Sequence, residues 1–165
     1  MGRIQSMARA IHLLLLGIWA GAGLYHLVVI IPEALSAFSS RQDARAFSGR
    51  GLADLDLYGL FAGPVLLLSL LAGWAGTGAR LWPRAALVLL LFAEALLSGR
   101  VLAPQIIGIE AALPTLAAAD PARLELERLY VAADGFTVAA VIIAALLLMT
   151  SAGSTVPRRQ GGIQL

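Results

Sequence analysis

Four long apolar runs alternate with three short polar segments along the chain. The first run, Ile11 to Glu33 (IHLLLLGIWAGAGLYHLVVIIPE), is followed by others after Tyr58, Ala85 and Tyr130. Each comes close to the ~20 apolar residues that a helix needs to cross a bilayer. The pattern predicts spans over about 10–31, 58–75, 85–107 and 130–150. Pro32 is expected to end the first span, and Pro64 is tolerable inside the second where neighbours satisfy the freed carbonyl. Between these spans, Leu35, Phe38 and Phe47 among charged residues predict a short surface helix over 34–47, closed by a turn at Gly49 and Gly51. The connection Gly76–Arg84 is tight, with Trp74 and Trp82 beside it as interfacial anchors. Asp120 and Pro121 read as the cap and first residue of a helix that meets no breaker before the fourth span. Ala20-Gly21-Ala22 resembles a signal cleavage site, but the apolar run continues to Ile31, so a spanning helix is expected instead.

The composition agrees. Of 165 residues, 59% are hydrophobic and 13% charged, and the mean hydropathy is +0.85, whereas a soluble domain carries ~25% charged residues. The expected fold is an all-α integral membrane protein, one antiparallel four-helix bundle over 1–150 with a disordered cytoplasmic tail over 151–165. The basic residues are all arginine. Two lie in each of the N-terminal segment (Arg3, Arg9), the connection (Arg80, Arg84) and the tail (Arg158, Arg159), none of which holds an acid. Eight of the acids lie in the other two polar segments. The positive-inside rule then puts both termini in the cytoplasm of a cell inner (plasma) membrane. With no cysteine and no lysine, disulfides, cysteine-held metals, thiol catalysis and lysine Schiff bases are excluded. Nothing in the sequence suggests nucleic acid as a partner, and no nucleotide loop or hydrolytic triad is present. A non-enzymatic role is favoured.

The candidate chemistry lies in polar residues inside the apolar runs, because lipid penalises them. At 100° per residue, His12, Trp19, Gly23, His26 and Glu33 share one face of the first helix. Glu94, Ser98, Val101 and Gln105 share a face of the third. The topology places His26, Tyr58, Arg100, Gln105 and Asp134 in the outer third of the bundle. Within it, Tyr58, Arg100, Gln105 and Asp134 form a structural polar cluster in which Arg100 is the expected partner of Asp134. One reading makes that cluster packing alone. Another makes His26, Glu94 and Asp134 ligands for copper or zinc in an outward-facing pocket, or a proton relay. Met1, Met7 and Met149 are too scattered for a thioether copper site. A third reading assigns His12 and His26, ~21 Å apart along one helix, to haem b. A second histidine helix is lacking, so a homodimer would have to complete such sites. Of these options, absence of any cofactor is the favoured one. Gly17, Gly21 and Gly23 offer a small-residue surface for a homodimer or a larger membrane complex.

The order WAGAGLYHLVVIIPEAL (Trp19–Leu35), RVLAPQI (Arg100–Ile106) and LERLY (Leu126–Tyr130) resembles a bacterial four-helix membrane family of unknown function that includes transmembrane protein 205. Trp19, Gly21, Pro32, Pro104 and Arg128-Leu129 carry the resemblance, and Tyr130 stands where that family has histidine. The resemblance implies a polytopic membrane protein, associated in some members with metal or metallodrug tolerance. Copper resistance protein D is distantly similar in its first helix. So is the J-type protoporphyrinogen oxidase through His12 and Trp19, but that enzyme uses a lysine. The resulting expectation is a small inner-membrane protein that handles, or confers tolerance to, a small cation or solute. The alternatives are a haem-binding redox subunit and a structural subunit.

Overall fold

A computed structural model describes residues 2–74, 81–115 and 120–152. Among them there is no strand, and four helical stretches are long and apolar enough to cross a membrane. The first comprises α1 (Arg3–Tyr25), a wide turn over His26–Ile30, and α2 (Ile31–Ala37). Next is α3 (Arg41–Trp74). The third comprises α4 (Leu81–Leu97), a second wide turn over Ser98–Leu102, and α5 (Ala103–Ala112). The last is α6 (Pro121–Ala152).

Local chemistry accounts for several boundaries. Ser40 caps α3: its hydroxyl accepts from the Asp43 amide at 3.3 Å and its carbonyl from the Ala44 amide at 3.1 Å. As the sequence suggests, Asp120 caps α6, its carboxylate accepting from the Ala122 amide at 2.9 Å. Three expectations are corrected. The helix passes Pro32 and runs on to Ala37, because the wide turn before it absorbs the proline. No turn forms at Gly49 and Gly51; α3 continues through both. Gly51 lies against the His26 ring, with space for a Cβ only 3.3 Å from Nδ1, so the missing side chain makes room for the imidazole beside the helix. The expected surface helix over 34–47 is divided between the end of α2 and the start of α3, and Phe38 and Phe47 close the corner with ring centroids 5.4 Å apart. The tail from residue 153 and the connection over 75–80 lie outside the described residues.

The core joins all four stretches through Leu16, Trp19, Leu66, Leu70, Leu91 and Leu147. Lipid tails are as apolar as these side chains, so close packing and polar contacts have to hold the helices together. Gly59 and Gly63 of α3 provide the close packing. A Cβ at Gly59 would stand 2.7 Å from Ala95 Cβ, and one at Gly63 would collide with the Phe92 ring. Along α1 and α3, Arg9 meets Gly73, His12 meets Ser69, Leu15 meets Tyr58, and His26 meets Gly51. At the Arg9 end two guanidinium groups stand over the Trp74 ring, Arg9 at 5.0 Å and Arg84 at 5.4 Å. Arg84 also donates to the Thr150 carbonyl in the last turn of α6. Trp74 is therefore buried rather than an interfacial anchor, while Trp82 is 77% exposed.

Candidate functional site: a polar cavity at the wide turns

The two wide turns are built alike. Each closes an i to i+5 hydrogen bond, Ile31 N–H to the His26 carbonyl and Ala103 N–H to the Ser98 carbonyl. In each, a proline follows six residues after the first member: His26 to Pro32 and Ser98 to Pro104. A proline ring clashes with the carbonyl four residues back and has no N–H for it. Widening the turn relieves that clash and adds one residue to it. Such turns occur often at functional sites.

His26 and Ser98 both face one cavity of about 260 Å³. From α3 it is lined by Arg45, Arg50, Leu52 and Asp56; from α5 by Ile106 and Glu110; from α6 by Tyr130 and Asp134. Three polar contacts cross it. Arg45 Nη1 is 2.5 Å from Asp134 Oδ2, and its guanidinium stands over the Tyr130 ring at 5.6 Å. The Tyr130 hydroxyl donates to Glu110. The Ser98 hydroxyl donates to Asp56 Oδ2 at 2.7 Å. His26 is only 6% exposed and makes no hydrogen bond to any described residue, though Asp134 is within electrostatic reach. Glu94 is buried deeper in the bundle, within electrostatic reach of Asp56, and does not line the cavity.

The expected outer cluster is assembled differently. Asp134 pairs with Arg45, not with Arg100, which is exposed. Gln105 is exposed too, and Tyr58 donates to the Leu15 carbonyl at 3.0 Å. No hydrogen bond or ion pair joins any two of Tyr58, Arg100, Gln105 and Asp134. For Gln105 and Glu33 the cause is the added residue in each wide turn, which rotates the helix after it. Past Ser98, the cavity receives Leu102 and Ile106 instead of Val101 and Gln105. Past His26, Ala34 is buried and Glu33 is exposed. The sequence pattern marks Ser98 only as part of one face of the third helix, and it does not mark Arg45, Asp56, Glu110 or Tyr130 as site residues. The paired six-residue step to proline is the signal that would have pointed to two of the cavity's walls.

Among the described residues no three His, Asp or Glu side chains come together as metal ligands, and Glu94 does not share the cavity with His26 and Asp134. His12 has no exposed surface. Its Nδ1 is 3.1 Å from both the Leu66 carbonyl and Ser69 Oγ, and Trp74 meets its ring at 5.2 Å. His12 does not line the cavity, and at about 260 Å³ that cavity falls below the ~300–1,000 Å³ of pockets for drug-sized ligands.

Comparison with protein-family models, curated proteins and solved structures gives no match.

Proposed function

We propose that this chain is a non-enzymatic multi-pass protein of a cell inner membrane, an antiparallel four-helix bundle with both termini cytoplasmic, which handles a small cation or solute through its outer-side cavity. One observation carries this reading: two proline-linked wide turns bring His26 and Ser98 to the same polar cavity as Arg45, Asp56 and Asp134. A bundle that needed only to pack would have no use for buried charge around open space, since lipid-buried polar groups are costly. The opposed order of the α1 and α3 contacts and the arginine distribution support the topology. Membership of the transmembrane protein 205-like family belongs to the same proposal and rests on Trp19, Gly21, Pro32, Pro104 and Arg128-Leu129.

Tolerance conferred on an expressing bacterial host tests the role. The wild-type chain is expected to raise tolerance to at least one toxic cation or organic solute in a graded panel. Ala103→Phe, which places a ring in the cavity, is expected to abolish that gain at equal membrane abundance. Equal tolerance from both chains would overturn the reading.

A further inference from the structure

The cavity's polar groups are unequally satisfied, and the imbalance selects a ligand. Arg45 is committed to Asp134, and its Nε is sealed from the open space. Glu110 accepts from Tyr130. Arg50 lines the cavity from an exposed position. Of the cavity's titratable groups left with acceptor capacity, Asp56 and His26 are the two that are buried and, among the described residues, in no ion pair. Among the described residues Asp56, 5% exposed, has the Ser98 hydroxyl as its one hydrogen-bond donor and no cation paired with it. A carboxylate offers about four acceptor sites. His26 is more than nine-tenths buried, lines the cavity and has no hydrogen-bond partner among the described residues. A neutral imidazole always offers one acceptor nitrogen. With Asp134 near His26, this end of the cavity favours a cation that donates hydrogen bonds.

The remaining wall decides which kind of cation. Leu52, Leu102 and Ile106 face the same space, so much of the lining is hydrocarbon. A metal ion would leave that surface unused and would lack a third ligand, since no trio of metal-binding side chains converges among the described residues. An ammonium group on a short apolar body uses both surfaces. We propose that the cavity binds a small organic monocation, a protonated primary or secondary amine, with its ammonium on Asp56 and His26 and its carbons along Leu102 and Ile106. This assignment rests on the cavity being a solute site at all.

Calorimetric titration of the full chain in lipid nanodiscs separates the two statements. Three probes of matched size are n-butylammonium, n-butanol and butyrate. Butylammonium is expected to bind at least tenfold more tightly than either of the others. Asp56→Asn should weaken it at least tenfold and His26→Ala several-fold, while Arg100→Gln, outside the cavity, should leave it unchanged. Should Asp56→Asn fail to fold, as judged by size exclusion and circular dichroism, His26→Ala carries the test. Equal or tighter binding of butanol or butyrate would overturn the cationic ligand and leave the solute site standing. Butylammonium binding unaffected by these substitutions would overturn its placement on Asp56 and His26. Binding of none of the three would overturn both statements.

Discussion

Arg45 shows how much one side chain depends on its partner. It is 8% exposed, and among the described residues its Nε has no hydrogen-bond partner and Asp134 is the one carboxylate on its guanidinium. Removing one partner of a buried ion pair costs ~3–5 kcal/mol, because the other charge stays buried without compensation, whereas replacing both with apolar residues is often near neutral. The Asp134 side chain keeps 31% of its surface exposed, which puts the expected loss for Asp134→Leu at the low end, ~3 kcal/mol. Arg45→Met combined with Asp134→Leu should recover most of it. Unfolding in mixed micelles measures both, and a double variant as unstable as the sum of its singles would show that the pair is not coupled. Sequence alone did not reveal this pair. Arg45 sits before two glycines that read as a turn, and only the continuation of α3 through Gly49 and Gly51 brings it into the bundle.

Among the elements, the legible features were those governed by length and composition. Four spanning helices, the Asp120 cap, a helix running unbroken into the last span and a proline tolerated within α3 all follow from apolar run length and capping chemistry. What failed was register. A face drawn at 100° per residue holds only while the helix keeps its pitch, and α1 and α4 both lose it at a wide turn. His12, Trp19, Gly23 and His26 are buried as the periodicity predicts, and Glu33, beyond the turn, is not. The same slip misplaced Gln105. Glycine was misjudged for a different reason: composition cannot tell which small residues have a neighbour. A Cβ at Gly17 or Gly21 would meet nothing within 4 Å, while Gly23 is crowded by Val141 and Gly59 by Ala95 and Trp19. Gly59→Ala is therefore expected to destabilise the bundle by ~1–3 kcal/mol, the range for overpacking a filled core. Gly17→Ala and Gly21→Ala should stay within ~0.5 kcal/mol, as surface changes do. Thermal unfolding in detergent distinguishes them, and a neutral Gly59→Ala would mean that the α3–α4 crossing has room for a methyl group beside Ala95.

On the scale of the whole molecule, the two ends of the bundle differ in chemistry. One end gathers Arg9, Arg84 and Trp74; the other holds the cavity and most of the acids. Orientation follows from arginine near the span ends, with acids contributing little, so the Arg9 end is expected to face the cytoplasm and the cavity the outside. Because the chain has no cysteine, single introduced thiols report orientation without background. Ser6 and Ser39 are both exposed and lie on either side of the first span. In intact spheroplasts a membrane-impermeant maleimide should label Ser39→Cys at once and Ser6→Cys only after permeabilisation. The reverse pattern would turn the cavity toward the cytoplasm and with it the side from which a solute enters. Labelling of both thiols in intact cells would break the four-span topology itself, since the one span between Ser6 and Ser39 has to put them on opposite sides.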